Sequence, residues 1–213
     1  IEPWASLKSF VRKDGADAKK VQAAKEADPG NPAINFRGEK RRNATHQSTT
    51  DPASVLYRKA RGKEAKLCFG AHALMENRNG LCADFTLHNP ITHPEPVLAL
   101  RQLAAQAELH QGVRIKTVGA DKGYHQKEFV RGCRERGIGP HVACKEKVQV
   151  AGLDGRTTTK EGCRLSQKIR KRVEEIFGWI KTVGGLRRSR YRGLEGTQAG
   201  GGFVAGAHKP PRA

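Results

Sequence analysis

A short turn between two apolar runs constrains the fold of this chain most strongly. The turn spans residues 76–80 and ends in Asn79-Gly80, two residue types that tolerate the positive φ angles of tight hairpin turns. The flanking runs, residues 65–75 and 81–87, are each long enough to form a strand. The sequence therefore predicts an antiparallel β-hairpin here.

Helices and strands alternate after this hairpin. Residues 97–107 carry apolar side chains every three or four positions, which predicts a helix. Residues 113–120 alternate apolar and polar side chains, which predicts a strand that ends at Asp121. Residues 126–136 predict a second helix, and residues 141–144 a second short strand.

A polar loop and a long helix complete the pattern. Residues 145–162 are polar and contain glycines, so we expect an exposed loop. Residues 165–183 keep an apolar rhythm of three and four, which predicts one helix ended by Gly184 and Gly185. This order of elements implies an α/β fold with a mixed sheet flanked by helices.

Composition divides the chain into three parts. Residues 1–50 are assigned to an N-terminal remnant and a flexible linker, because residues 13–43 are charged, rich in Ala and interrupted by prolines. Residues 51–192 contain the predicted strands and helices and form the folded domain. Residues 193–213 are rich in Gly and Pro and predict a frayed tail, in which the glycines at 200–202 disfavour a helix.

The charge of the chain indicates its class of partner. The formal net charge is +19, with 40 Lys and Arg against 21 Asp and Glu, which predicts long-range attraction to nucleic acid. Residues 145–192 contain 14 Lys or Arg and 5 Asp or Glu. The basic residues around Tyr191 predict an arm that binds the nucleic-acid backbone. The alternative is a solvated charged loop. The residues of this arm are Arg187, Arg188, Arg190 and Arg192.

Other classes of protein fit the sequence less well. No run of 18 or more apolar residues occurs, and residues 1–10 lack a secretory pattern, so we expect no membrane partner and a cytoplasmic location. The five cysteines are odd in number and lack a C-x-x-C pair, which argues against a disulfide framework and a zinc ribbon.

Two acidic residues lie where α/β proteins often place their chemistry. Asp121 ends a predicted strand, and ligands bind at the carboxyl ends of such strands, although an Asp before a glycine is more often simply a turn residue. Gln167, Arg170, Glu174 and Lys181 share one polar face of the long predicted helix. A solvated face with an Arg170–Glu174 ion pair, worth a few tenths of a kcal/mol, explains the same stripe.

Two sequence blocks contain these acidic residues: residues 119–124, GADKGY, and residues 170–187, RKRVEEIFGWIKTVGGLR. They resemble the second and third catalytic blocks of bacterial insertion-sequence transposases of the acidic-triad (DDE) type. Stretches within residues 38–59 and the hairpin that follows are similar to further blocks of the family, in the same order. The resemblance covers nearly all of residues 1–193 and implies a partial ribonuclease H-like catalytic domain over residues 51–192.

The resemblance also implies a role for each matching residue. Asp121 and Glu174 would be the second and third carboxylates of a triad that holds two Mg²⁺ ions, with Mn²⁺ as a substitute. Hard oxygen ligands suit Mg²⁺, and two metals about 4 Å apart can hold both sides of an in-line displacement. Arg170 and Lys181 would contact DNA phosphates near the scissile bond. The R-x3-E-x6-K spacing selects Glu174 over its neighbour Glu175.

The chain departs from the family pattern in several places. Gln167 stands where the family often has a Tyr, three residues before Arg170. The family's first catalytic Asp lies a few residues before the block matched by residues 1–6, so we expect the chain to be truncated there and inactive. Glu2 and Asp14 are nearby acids, but their spacing makes neither a substitute.

The implied reaction is Mg²⁺-dependent DNA cleavage at the ends of an insertion element, followed by transfer of the freed 3′-hydroxyl into target DNA. Its partner would be double-stranded DNA in the bacterial nucleoid, and the sequence leaves the oligomeric state open, a homodimer included. A non-catalytic, basic nucleic-acid-binding protein is the alternative hypothesis. A single-metal nuclease fits less well, because one Asp and one Glu supply few ligands.

Overall fold

A computed structural model describes residues 1–15, 41–112, 114–146, 148–153 and 155–208 as a mixed α/β fold. Most of the predicted linker, residues 16–40, and the end of the predicted tail, residues 209–213, lie outside the described residues. Among the described residues, no helix is long and apolar enough to cross a membrane.

The strands of the described residues are β1 (Phe10–Arg12), β2 (His46–Ser48), β3 (Val55–Tyr57), β4 (Lys66–Cys68), β5 (Gly70–Met75), β6 (Cys82–His88), β7 (Thr117–Ala120) and β8 (Gly139–Val142). Their α-helices are α1 (Glu95–Leu109), α2 (Lys127–Glu135), α3 (Gly155–Thr158), α4 (Glu161–Ile169), α5 (Arg172–Lys181) and α6 (Gly193–Gly206).

The predicted hairpin is confirmed as the antiparallel pair of β5 and β6, with Ala73 opposite Phe85. Glu76 closes the turn, since its N–H donates to the Leu81 carbonyl at 2.8 Å. Gly80 has a φ of +68°, the left-handed conformation that the Asn-Gly pair predicts. The predicted first run is divided by the buried Phe69, so that its beginning forms β4, which pairs with β3 in a separate small sheet.

Residues 117–142 form a β-α-β unit. Strands β7 and β8 are parallel, with Gly119 opposite His141, and α2 connects them. This connection is the one that parallel strands require, because they cannot be joined by a tight turn. The α/β class is confirmed. Strand directions are mixed, because the β5–β6 pair is antiparallel and the β7–β8 pair is parallel.

Helices cover two apolar cores on opposite faces of these strands. The first, called the α1–α2 core, contains Ala99, Leu103, Ala120, Phe129, Val130, Cys133, Ile138, Val142 and Leu153. The second, called the α5–α6 core, contains Phe85, Leu87, Ile176, Ile180, Leu186 and Ala205. Strand β5 contributes to both, because Leu74 packs on the α1–α2 core, whereas Ala71, Ala73 and Met75 pack on the α5–α6 core. This alternation is the two-residue period of a strand.

The helix predicted over residues 165–183 is two helices, so the prediction of one continuous helix is wrong. The chain tightens at Arg170 and Lys171, where Val173 N–H donates to the Arg170 carbonyl at 3.1 Å and Glu174 N–H donates to the Lys171 carbonyl at 3.0 Å. Such bonds to the third residue back are those of a 3₁₀ turn. Both residues keep right-handed helical angles, so the apolar rhythm passes through the break unchanged. The predicted loop over residues 145–162 also contains α3 and the beginning of α4.

The glycines of the predicted tail do not prevent a helix, and that prediction is wrong. Gly200 and Gly201 lie buried within α6, close to the rings of Tyr191 and Phe85. A Cβ on Gly201 would stand 2.7 Å from Phe85 Cε1. The missing side chains therefore let the helix backbone pack against these rings. That packing offsets the roughly 1 kcal/mol by which each helical Gly is less favourable than Ala.

A glutamine on α6 covers the outer edge of β6. Gln198 Nε2 donates to the Phe85 carbonyl at 2.7 Å, and its Oε1 accepts from the Leu87 N–H. These bonds occupy backbone groups that would otherwise face solvent along the edge of the strand. The β5–β6 pair is therefore closed on this side.

The beginning of the chain is bound to two distant segments. Ile1 and Phe69 exchange hydrogen bonds, with the Ile1 amino group donating at 3.0 Å and the Phe69 N–H donating at 2.9 Å. Glu2 N–H donates to the Arg187 carbonyl at 3.0 Å, and Ser189 N–H donates to the Glu2 carbonyl at 2.7 Å. Residues 1 and 2 therefore lie between the beginning of β5 and the segment after α5.

Substitution of adjacent glycines in α6 tests how this helix packs. Gly201→Ala should lower the free energy of unfolding by about 1–3 kcal/mol, because the added methyl meets the Phe85 ring. Gly202 is exposed with open space at its Cβ position, so Gly202→Ala should raise that energy by roughly 0.5–1 kcal/mol. Urea denaturation followed by circular dichroism measures both. Equal shifts of the same sign would contradict the packing of α6 on β6.

Candidate active site

Asp121 lies directly after β7, where the sequence predicts it. It caps a short 3₁₀ turn, Lys122–Tyr124, and its Oδ1 accepts from the Gly123 N–H at 2.7 Å. A Cβ at position 123 would stand 2.9 Å from that oxygen, so a glycine suits the turn. The side chain is exposed. Asp121 thus has a role in the turn and also presents a carboxylate to solvent.

Tyr124, the last residue of the same block, joins this turn to β5. Its hydroxyl is 2.5 Å from His72 Nε2, and His72 Nδ1 is 2.6 Å from Gln102 Oε1 on α1. Burial raises the pKa of the Tyr124 phenol, with a smaller contribution from nearby acids, so the hydroxyl stays protonated at neutral pH. Sequence patterns did not predict this network, because its members are far apart in the chain. It holds the Asp121 turn against the hairpin.

Glu174 lies in the first turn of α5 and is exposed. A carboxylate is favoured there by the partial positive charge at a helix N-terminus. The Arg170–Glu174 ion pair of the solvated-face hypothesis is not among the ion pairs of the described residues. Instead, Arg170 Nε donates to Gln167 Oε1 at 2.8 Å.

Gln167 fixes α4 on the ends of two strands. Its Nε2 donates to the Ala120 carbonyl at 3.0 Å and also to the His141 carbonyl, so one side chain joins β7, β8 and α4. Gly119 permits this close approach, since a Cβ there would stand 3.3 Å from the Ser166 carbonyl oxygen and 3.5 Å from Arg170 Cβ. Gln167 therefore has a packing role that the sequence did not predict.

A groove of about 870 Å³ brings several of the predicted site residues together. Asp121 and Arg170 both line it, and Val173, the neighbour of Glu174, lines it as well. Its walls are β5 and β7, with α1 on one side and the junction of α4 and α5 on the other. The structure therefore brings Asp121, Arg170 and the first turn of α5 to one region.

The remaining basic site residues lie at and beyond the other end of α5. Lys181 is the last residue of α5 and is exposed. Arg187, Arg188, Arg190 and Arg192 are also exposed, while Ser189 between them is buried. The segment is held in place by the hydrogen bonds to Glu2 described above and by a contact of 3.8 Å between the Arg188 guanidinium and the Glu2 carboxylate. Trp4, which is 58% exposed, lies in a shallow depression with Arg190 and Arg192.

The donors at this site meet the needs of a divalent metal only in part. Carboxylate oxygens such as those of Asp121 and Glu174 are the donors that Mg²⁺ prefers. Within the part of the chain that the structure describes, no group of three or more His, Cys, Asp or Glu could hold a metal ion. His141 Nδ1 is 2.7 Å from Ser166 Oγ, so this ring has a structural partner on α4. The described residues offer suitable donors but not a complete metal centre.

Comparison with known families agrees with the sequence blocks. A family model described as the transposase DDE domain matches residues 17–208. No curated protein and no solved structure matches this chain.

Replacement of Gln167 tests whether it holds α4 on the strands. Gln167→Leu keeps a side chain of similar size but leaves two strand-end carbonyls without this donor, so the free energy of unfolding should fall by about 1–3 kcal/mol. Lys168→Leu is the matched control, because Lys168 is exposed on the same helix. Thermal or urea denaturation measures the difference. An equal effect of both substitutions would contradict the role assigned to Gln167.

Proposed function

Because this chain belongs to the transposase DDE-domain family, which its match over residues 17–208 shows, we infer that it acts in DNA transposition. We further propose that its chemistry is Mg²⁺-dependent cleavage of element ends and transfer of the 3′-hydroxyl into target DNA. The observation that carries this proposal is that Asp121 and Arg170, from separate sequence blocks, line one groove beside the first turn of α5.

In this proposal Asp121 and Glu174 are metal ligands. Both are exposed carboxylates at the ends of secondary-structure elements, so a hydrated Mg²⁺ can reach them without disturbing a core. A metal pair, when bound, activates the attacking oxygen and stabilises the leaving oxygen. Residues 1–213 supply two of the three carboxylates that the resemblance implies. We therefore propose that this chain by itself binds DNA but does not cleave it.

The proposed DNA contacts are basic residues at both ends of α5. Arg170 is half-buried and oriented by Gln167, which suits a phosphate contact of defined geometry beside the carboxylates. Lys181 lies at the other end of α5, about 10 Å further along the helix axis than Glu174. The exposed arginines of residues 187–192 extend this basic surface, and a DNA backbone carries the regularly spaced negative charges that such a surface attracts.

Metal binding tests the proposed roles of the two carboxylates. Asp121→Asn and Glu174→Gln should each weaken Mn²⁺ binding by about tenfold or more, because each removes a charged ligand. Glu175→Gln should not, although Glu175 is the exposed neighbour of Glu174. Calorimetric titration measures the three affinities. Identical affinities in all variants, with DNA binding retained, would favour the non-catalytic nucleic-acid-binding protein.

A cleavage assay on element ends tests the proposed inactivity. End cleavage with Mg²⁺ or Mn²⁺ that disappears in Asp121→Ala would contradict the proposed inactivity.

The salt dependence of DNA binding tests the arginine surface. Arg190→Gln combined with Arg192→Gln should reduce the slope of log K against log salt by about 1.8, since each lost phosphate contact changes it by about 0.9. Lys59→Gln combined with Lys63→Gln removes the same charge from the exposed β3–β4 turn and should change the slope less. Fluorescence anisotropy with a duplex of random sequence provides the measurement. Equal reductions in both double variants would show attraction by net charge alone.

A further inference from the structure

Trp4 presents an exposed indole from a well-packed stretch of backbone. Its neighbours Pro3 and Ala5 are both buried, whereas Trp4 itself is 58% exposed. A single exposed apolar side chain is common on protein surfaces and needs no explanation by itself. The groups beside the indole therefore decide whether its exposure has a use.

Two backbone hydrogen bonds hold the Trp4 segment against the arginine-rich segment that follows α5. Glu2 N–H donates to the Arg187 carbonyl at 3.0 Å, and Ser189 N–H donates to the Glu2 carbonyl at 2.7 Å. Trp4 stands two residues beyond this contact on one side, and Arg190 is the next residue on the other. The indole and the arginines that follow Ser189 therefore keep a fixed relation to each other.

Arg190 and Arg192 lie on the side of the backbone that Trp4 occupies. Alternate residues of an extended segment share a side, and Arg192 has extended angles, with φ of −99° and ψ of 144°. Both arginines line the same shallow depression as Trp4. Tyr191 packs instead on α6, where a Cβ on Gly200 would stand 3.0 Å from Tyr191 Cδ2. The aromatic ring that this depression offers is therefore that of Trp4.

The two guanidiniums in the depression have no acidic partner among the described residues. Neither Arg190 nor Arg192 belongs to an ion pair of this part of the chain. The carboxylate of Glu2 is engaged elsewhere, at 3.0 Å from Lys66 Nζ and 3.8 Å from the Arg188 guanidinium. The depression is therefore cationic, and it can accept an anion without first breaking an ion pair.

A flat apolar ring beside two cations matches the chemistry of an unpaired nucleotide. Proteins that bind single strands combine aromatic side chains, on which bases stack, with basic groups that contact the phosphates. In a duplex each base is covered by its neighbours, so an indole can stack only on a base that is unpaired or terminal. An acidic peptide would supply the negative charge but no planar ring for the indole. The depression therefore favours a nucleic-acid strand.

We propose that Trp4, Arg190 and Arg192 form a binding site for single-stranded DNA. One base stacks on the indole, and the phosphates beside that base contact the two guanidiniums. This inference rests on the DNA binding proposed above and adds to it a preference for DNA with an unpaired segment. Duplex DNA contacts the same arginines but leaves Trp4 uncovered.

Two oligonucleotides of equal charge separate base stacking from attraction by charge. One is a strand of about eight thymidines, and the other is a strand of the same length that carries the same phosphates but no bases. The thymidine strand should bind the 213-residue chain about tenfold more tightly, because it gains one base–indole stack. Fluorescence anisotropy measures both affinities. Equal affinities would overturn the proposal.

Substitution of Trp4 tests whether this residue is the source of the preference. Trp4→Leu should bind both strands with the affinity of the strand that lacks bases, whereas Trp4→Phe should retain part of the preference, because a phenyl ring still stacks. The affinity for a blunt duplex should change less than twofold or so in both variants. A loss of the same size for duplex and single strand would contradict the stacking role of Trp4.

The fluorescence of the indole reports the contact directly. The chain has two tryptophans, and the second, Trp179, packs on the α5–α6 core and against the His208 ring. The thymidine strand should therefore quench the emission of the unaltered chain but not that of Trp4→Leu. Quenching of the same size in Trp4→Leu would count against the site. Equal quenching of the unaltered chain by a polyglutamate peptide would also count against it, because charge alone would then suffice.

Another exposed aromatic residue provides the matched control. Tyr57 is 38% exposed and is followed by the exposed basic residues Arg58 and Lys59. Tyr57→Leu should leave the preference for the thymidine strand unchanged, and a loss equal to that of Trp4→Leu would refute the assignment. Duplex binding without any preference for the thymidine strand would overturn this site alone. Absence of all DNA binding by the unaltered chain would overturn the proposed function as well.

Discussion

The candidate site depends on the close approach of α4 to β7 at Gly119. Without a side chain at this position, the Ser166 carbonyl and the Arg170 side chain lie directly against the strand. Gln167 can then reach the Ala120 and His141 carbonyls, and its Oε1 remains free to orient Arg170. A larger residue at 119 would separate all of these groups together. One missing side chain thus determines where a guanidinium stands relative to Asp121.

The sequence predicts the parts of the fold that short-range rules govern. The Asn79-Gly80 turn predicts the hairpin because its φ requirement is local, and the alternation before Asp121 predicts β7 because side-chain period follows from backbone geometry. Helix α6 escapes prediction because Gly200 and Gly201 have poor helix propensity, and the packing that compensates involves Phe85 and Tyr191. The break at Arg170 and Lys171 escapes it as well, because a 3₁₀ turn leaves the apolar rhythm intact.

In the candidate site, too, features set by local sequence are predictable, whereas features set by contacts between distant segments are not. The position of Asp121 at a strand end is predictable from local pattern, and the family blocks identify it and Glu174 as candidates. The contacts among His72, Tyr124 and Gln102 join segments separated by 30 and 52 positions, so no local pattern contains them. The role of Gln167 cannot be predicted from sequence for another reason. Its partners are backbone carbonyls, which every residue carries.

The Gln198 cap on β6 has a consequence for how molecules of this protein meet one another. Exposed strand edges are where folded proteins join into fibrils. The Gln198 amide occupies the Phe85 carbonyl and the Leu87 N–H, so a neighbouring strand cannot bond to these two groups. The architecture thus resists open-ended polymerisation through β6.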